Sequence, residues 1–298
     1  MSIQGSAQWS GRTDGTPWML RTLVVLLRRL DVRVLYGVMA VVVIFYIIFR
    51  PRGTKAQYHL LRHRLGFSPM KACLGVYRNH YTFGQVILDR FACYAGKKYR
   101  IVAQGDEIME RWMASEQGFV VLSSHIGNNE MAGYSINRHD KTMYVVAYGG
   151  EKQTVTDYRR SMFSKANISL ITLKDDDMSH VFVIHDALTR GDVVTLSGDR
   201  VFGSEKTLTV NVLGAPARIP AGPFAVATAE GIKVMTLFVM KDSWDTYHLY
   251  FRPLNSIAKA GANRRESMQK LADEYAEALS AMTRKYPYQW FHYYDFFA

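Results

Sequence analysis

Cysteine is scarce in this 298-residue chain: only Cys73 and Cys93 occur. They form no C-x-x-C pair, which excludes a zinc knuckle and a dithiol redox motif, and two unpaired thiols suit a reducing compartment. No G-x-S-x-G elbow is present, so a serine nucleophile of the hydrolase type has no seat. There is no internal repeat and no low-complexity tract. Zinc-finger spacing and helix-turn-helix patterning are also missing, which removes the usual nucleic-acid readers. Acidic residues are nearly absent from the first quarter: residues 1–75 hold 11 Lys/Arg against Asp14 and Asp31, a balance of +9, while the remaining three quarters carry only +2.

Hydrophobic residues make up 48% of the chain, which excludes a disordered polymer and allows one large domain or two small ones. The basic N-terminal quarter flanks an apolar run, VLYGVMAVVVIFYIIF at 34–49, with Arg28, Arg29 and Arg33 before it and Arg50, Arg52 and Lys55 after it. Basic residues bordering an apolar helix point to an anionic membrane as partner, not to nucleic acid, each contributing about 1 kcal/mol near the surface. As a helix the run reaches about 24 Å, against about 30 Å of hydrocarbon. It is a short span or a helix lying in the interface; the alternative is a buried core helix. No small-residue cleavage site follows it and Pro51-Arg52 does, which argues against a cleaved signal peptide. We expect a mobile N-terminus over 1–17, a membrane-anchoring helical segment over 18–55 broken near 29–33, and a catalytic domain over 56–298.

Beyond residue 100 short β-branched runs alternate with helical stretches. Strands are expected at 119–123, 144–147, 170–172, 192–196, 208–212, 234–240 and 247–253. Helices are expected at 78–96, 129–137, 154–166, 178–190, 222–230 and 264–285. The alternation predicts an α/β fold: a single catalytic domain with a mostly parallel central sheet flanked by helices, preceded by an N-terminal hydrophobic membrane helix. His125 follows one expected strand and Asp199-Arg200 follow another, where ligands bind in open α/β sheets.

The chemistry centres on SSHIGNNE, 123–130. A loop His is followed five residues later by Glu130, which a turn at Gly127 could bring back to the imidazole. A carboxylate on one ring nitrogen fixes the tautomer and leaves the other to take a proton from a hydroxyl or amine. H-x4-E also arises by chance, and the bland reading is a surface His beside an unrelated Glu. A zinc site would need a third ligand, and no His stands at ligand spacing.

With its neighbours the motif resembles the H-x4-(D/E) block of the lysophospholipid acyltransferase superfamily, and more narrowly the bacterial late lipid A acyltransferase family. LSGDR (196–200) is similar to that family's Gly-Asp-Gln/Arg block, and VNVLGAPARIPAGPFAVATAEGIKV (210–234) to its Gly-x-Pro…Pro-x-Gly-Pro block. The apolar helix falls where the family keeps its anchor. The C-terminal YPYQWFHYYDFF (286–297) is similar to a subgroup that acylates other lipids. The resemblance implies acyl transfer from acyl carrier protein or acyl-CoA to a lipid hydroxyl or amine, with no cofactor or metal, at the cytoplasmic face of the bacterial inner membrane. It implies His125 as base with Glu130 as its orienting partner. It further implies Asn128, Asp199, Arg200, Arg218, Gly222 and Pro223 as substrate-binding residues, with helix 222–230 offering N–H groups to an oxyanion or simply starting at a favourable Pro. Two departures stand out: Asn129 occupies a common Trp position, and Gly149-Gly150 replaces a basic residue. Arg159 and Arg160 read as a solvated helix face. A lipid-binding protein with a vestigial site is the competing reading, and it would have His125 and Glu130 pointing apart. A metal-dependent hydrolase is the third.

Overall fold

A computed structural model describes residues 16–134, 140–148, 157, 159–160, 163–164, 166–173, 179–201, 206–228, 232–256 and 263–297. The expected mobile N-terminus and most of the helix expected at 154–166 lie outside them.

Within the basic quarter, residues 17–49 fold as two helices, α1 (Pro17–Arg29) and α2 (Val32–Phe49). Thr16 Oγ1 caps α1 by accepting from Met19 N at 3.3 Å, with Pro17 in the first turn. Asp31 ends the break and caps α2, its carboxylate taking Arg33 N at 2.8 Å. Such caps satisfy N–H groups that the helix itself cannot pair. α2 has a mean hydropathy of 2.5, and only 17% of it is buried. Val32, Tyr36 and Val43 form its buried stripe; Val34, Phe45, Ile48 and Phe49 are bare. That stripe packs along α4 (Pro69–Tyr94), where Tyr77 donates to Ala40 O at 3.0 Å and Gly84 leaves room for Met39. Between them, α3 (Pro51–His59) runs into a π-helical turn, Leu60–Arg64. α4 begins at the Ser68-Pro69 cap, nine residues before the sequence-based expectation, because its first turns carry Met70 and Leu74 outward and bury Ala72 and Val76.

The strands are β1 (Arg100–Gln104), β2 (Phe119–Ser123), β3 (Met143–Tyr148), β4 (Ile168–Leu173), β5 (Val193–Ser197), β6 (Thr207–Val212), β7 (Ala215–Pro220), β8 (Lys233–Lys241) and β9 (Thr246–Pro253). Seven of them make one sheet in the order β1-β9-β8-β2-β5-β3-β4. All neighbours are parallel except β8 and β9, which pair antiparallel across a tight turn. The fold is therefore α/β with a mostly parallel sheet flanked by helices. β6 and β7 form a separate hairpin. Neither β1 nor β7 was expected. β1 alternates exposed and half-buried residues with little apolar signal, and β7 carries two prolines, which disfavour a central strand. The hairpin escapes that penalty because it stands outside the main sheet.

The remaining helices are α5 (Asp106–Met113), α6 (Ser179–Thr189), α7 (Ala221–Ala227) and α8 (Arg264–Lys285). One sheet face packs on α7, α8 and the C-terminal aromatics, through Phe224, Leu271, Tyr275, Leu279 and Trp290. The other packs on α5 and the loop after β2, through Met109, Met113, Met131 and Tyr247. β2 is buried at all five positions, as a central strand covered on both faces should be. The residues after Asn128 form a 3-10 turn, Asn129–Tyr134, in place of the expected α-helix.

Candidate active site

β2 and β5 are adjacent and parallel, in a register that pairs Ser123 with Ser197. His125 and Asp199 each stand two residues past that pair, so register alone delivers them to the same point. Asp199 Oδ1 meets His125 Nδ1 at 2.8 Å, and Oδ2 accepts His125 N–H at 2.8 Å and the Trp290 indole N–H at 3.2 Å. Ser197 Oγ donates to Oδ1 at 3.1 Å. The carboxylate is thus satisfied on both oxygens in a buried position, while the imidazole is 37% exposed. Burial pushes the Asp199 carboxyl up, but the charge and hydrogen bonds of His125, then Arg200, outweigh it and hold the group well below the usual carboxylate range. It is ionised at neutral pH. With Nδ1 engaged, the other imidazole nitrogen is the one that can take a proton.

Close packing enforces this geometry. Gly198 N donates to Ser123 O at 2.9 Å, and a Cβ on Gly198 would fall 2.8 Å from the Tyr275 ring. Tyr275 in turn donates its hydroxyl to Ser123 O at 2.9 Å. The C-terminal segment closes the far side: Phe291 N donates to His125 O at 3.2 Å and Gly127 N to Gln289 O at 2.7 Å.

Glu130 does not orient the imidazole; Asp199 does. Gly127 adopts φ +69° and lies against β8, where Asn128 N donates to Val239 O at 2.7 Å. The chain is thereby sent toward α4, and Glu130 meets a different set of groups. Its Oε2 pairs with Arg90 at 2.9 Å and Arg159 at 3.2 Å, and its Oε1 accepts the Tyr94 hydroxyl. Arg159 is therefore not on a solvated face: its side chain is 12% exposed and held by Glu130. Arg90 and Tyr94, four apart on α4, were not singled out from sequence, although i, i+4 spacing on one helix face is a readable signal.

The other expected binding residues scatter. Asn128 is fully buried, its amide donating to the Tyr247 hydroxyl at 3.3 Å and to Val86 O at 3.4 Å. Arg200 reaches Phe291 O at 3.3 Å and stacks over Tyr294 at 5.8 Å, so it braces the C-terminal segment beside the dyad. Arg218 is an exposed residue of β7, donating to Thr207 Oγ1 across the hairpin at 3.2 Å. Gly222 and Pro223 open α7, and nothing stands within 4 Å of a Cβ placed on Gly222. No hydrogen bond or ion pair among the described residues joins Arg218, Gly222 or Pro223 to His125, Asp199 or Glu130. Trp290 is the residue whose role sequence reasoning missed most plainly: within an aromatic-rich tail, nothing distinguishes the one indole that reaches Asp199. Of the two cavities described, one of about 200 Å³ is lined by Leu60, His63, Arg64, His292 and Phe296, and one of about 560 Å³ lies between the hairpin and α8. Neither includes His125.

A mostly parallel α/β sheet carries a carboxylate-held imidazole at its strand ends, and Glu130, five residues further on, holds a pair of guanidiniums; that arrangement is suited to group transfer. The sequence model of the bacterial lipid A biosynthesis acyltransferases matches residues 86–294, which contain the dyad, Glu130 and Trp290. The chain belongs to that family and is an enzyme of acyl transfer to a lipid acceptor. Among solved structures, the 1-acyl-sn-glycerophosphate acyltransferase PlsC from Thermotoga maritima is similar over 84% of this chain and 98% of its own, at 14% identity and a TM-score of 0.39. No curated protein matches in sequence.

Proposed function

We propose that the protein transfers a fatty acyl group from a thioester of acyl carrier protein or CoA to a hydroxyl or amine of a lipid A-like or related bacterial lipid. The observation that carries this reading is the His125–Asp199 pair at the strand ends. The imidazole takes the proton of the acceptor hydroxyl or amine as its oxygen or nitrogen attacks the thioester carbonyl carbon. The tetrahedral intermediate collapses, the carbon–sulfur bond breaks, and the imidazolium returns its proton to the leaving thiolate. No acyl-enzyme forms. Asp199 holds the tautomer and offsets the imidazolium charge. Glu130 acts at one remove: it holds Arg90 and Arg159 together five residues along the loop from the base, and a guanidinium of that pair meets the developing oxyanion or an anionic substrate group.

The vestigial-site reading expected an imidazole parted from Glu130, and the two are parted. Yet the imidazole has a buried carboxylate partner, with four hydrogen bonds arranged around it, and an idle site has no need to keep that arrangement. Membrane attachment fits the bare sides of α1 and α2, with the acceptor drawn from the cytoplasmic leaflet of the inner membrane. Because α2 is held along α4 from Val32 to Ile47, one side of the helix, not its whole circumference, is offered to lipid.

The test is transfer itself. Membranes carrying the protein are given an acyl carrier protein or CoA thioester, and the lipids are read by mass spectrometry for gain of one acyl mass. His125→Ala should fold and lose the product; retained transfer would remove His125 from the reaction.

A further inference from the structure

Behind the motif loop lies a buried cluster that the acyl-transfer step does not use. Asp89 on α4 is fully buried, and its carboxylate receives four donors. Tyr99 reaches Oδ1 at 2.8 Å and the Tyr36 hydroxyl of α2 reaches the same oxygen. Lys241 Nζ from the end of β8 reaches Oδ2 at 2.6 Å, beside the Tyr247 hydroxyl of β9. Lys241 also touches the Tyr36 hydroxyl at 3.1 Å, so the helix that faces lipid is tied to both members of a buried ion pair.

One tie from the cluster to the loop runs through Tyr247. Tyr247 gives its proton to Asp89 and so turns a lone pair to Asn128, whose amide donates at 3.3 Å. Asn128 is the residue between His125 and Glu130 at which the loop is pinned, by its own N–H to Val239 O and through its side chain to α4 at Val86 O. Gln289 adds a second tie, since its side chain bonds Lys241 N–H at 2.9 Å and Lys241 O at 2.7 Å while its carbonyl accepts Gly127 N–H. The next residue on α4, Arg90, holds Glu130, and Cys93 packs against Met131. α4 is thus the platform on which the loop's setting between base and guanidinium pair is determined.

We infer that Asp89 is a positioning residue: through Tyr247 and Asn128 it fixes the catalytic loop, and through Tyr36 it ties that setting to the docking of the membrane-facing helix. This rests on the acyl-transfer reading for its kinetic consequence only. Errors of about 1 Å in a reacting group can cost on the order of 100-fold in rate. Tyr247→Phe keeps the ring and removes the tie to Asn128; Tyr99→Phe removes a bond to the same carboxylate and leaves the Tyr247–Asn128 contact in place. We expect Tyr247→Phe to lower kcat by about 10-fold or more with KM for the thioester little changed, and Tyr99→Phe to leave kcat within about twofold. A merely structural cluster is separated by setting kcat beside the unfolding midpoint in these two variants. Each removes one hydroxyl from the same buried carboxylate, so both should lower the midpoint by a similar amount, while only Tyr247→Phe loses kcat. Equal losses of kcat in Tyr247→Phe and Tyr99→Phe, or full kcat in Tyr247→Phe, would overturn the inference. The loop is also read without substrate, by mass spectrometry of His125 carbethoxylation with diethyl pyrocarbonate. Its rate should shift several-fold in Tyr247→Phe and not in Tyr99→Phe, and an unchanged rate would count against loop positioning. If the wild type transferred nothing, the acyl-transfer reading would fail while this labelling comparison still decided the role of Asp89.

Discussion

Replacing Asp199 by Asn should disable the base by reversing its tautomer, and the structure fixes which way the amide must sit. The Oδ2 position receives two donors, His125 N–H at 2.8 Å and the Trp290 indole at 3.2 Å. Neither can accept, so the amide oxygen must take that position and the NH₂ must face His125 Nδ1. Nδ1 then becomes an acceptor, the proton moves to the outer nitrogen, and the nitrogen that faces substrate can no longer receive one. The same exchange in a Ser-His-Asp site costs about 10⁴-fold. Here the imidazole is 37% exposed and can return to the useful tautomer at the cost of one unmatched buried contact, about 1–3 kcal/mol, which corresponds to about 5–150-fold. We therefore expect transfer to fall by between about 10-fold and 10⁴-fold, with the upper part requiring loss of imidazolium stabilisation as well. The assay is initial rate of acyl-lipid formation across pH, alongside a thermal unfolding scan to show that the variant folds. A rate within threefold of wild type in a folded Asp199→Asn protein would refute the tautomer argument and reopen the question of what orients His125.

Three further outcomes follow from the same geometry. Gly127→Ala would place a Cβ 2.0 Å from Val239 O, a carbonyl already committed to Asn128 N–H, on a residue with φ +69°; the loop must shift, and we expect loss of transfer by about 100-fold or of folding stability by more than about 2 kcal/mol, read by rate and chemical denaturation. Glu130→Gln removes the charge that holds Arg90 and Arg159, and should cost about 1–3 kcal/mol and lower transfer at least about tenfold without altering the His125 labelling rate, whereas unchanged transfer would place Glu130 outside the mechanism. His292 is buried against Trp290 and Phe296, and burial pulls its imidazole down from 6.5 to about 4. The unfolded chain therefore binds a proton that the folded one refuses between those values, so stability should fall as pH drops from about 6.5 to about 4, by up to about 3 kcal/mol. His292→Phe should flatten that limb of the unfolding midpoint against pH, while buried His80, whose imidazole burial also lowers, keeps its own contribution.

The fold class was legible because the central strands are buried on both faces and read as continuous apolar runs; β2 and β5 stand within a residue of where the pattern puts them. α8 is legible to the residue, since Asn263 caps it and its apolar stripe is unbroken to Lys285. What escaped were elements whose signal is not apolar periodicity. β1 is a half-exposed edge strand, and β7 reads as loop because of Pro216 and Pro220. In the site, both strand-end groups were visible, and their equivalence already hinted that they meet. Their pairing was still misassigned, because closeness in sequence was weighed above strand register. Arg90, Tyr94 and Trp290 come from elements 31 to 165 residues away from His125, and no local pattern marks them as partners of the motif.

The misassignment has a physical lesson about the motif itself. A carboxylate five residues after a loop His reaches back only if the intervening chain turns freely, and here it does not. Gly127 is held against β8, and Asn128 is anchored by backbone and side chain at once, so the two ends of H-x4-E are splayed onto different supports. The spacing then measures something other than a dyad: the distance from a strand end to the face of α4. At the strand end a carboxylate is supplied by the neighbouring strand, at a depth where it is ionised and its partner is an imidazole. At α4 the carboxylate finds two guanidiniums and a phenol, a set suited to holding positive charge in place rather than to fixing a tautomer. Two acidic residues of the same chemistry thus stand in different settings because their partners differ: Asp199 meets an imidazole, and Glu130 meets two guanidiniums and a phenol.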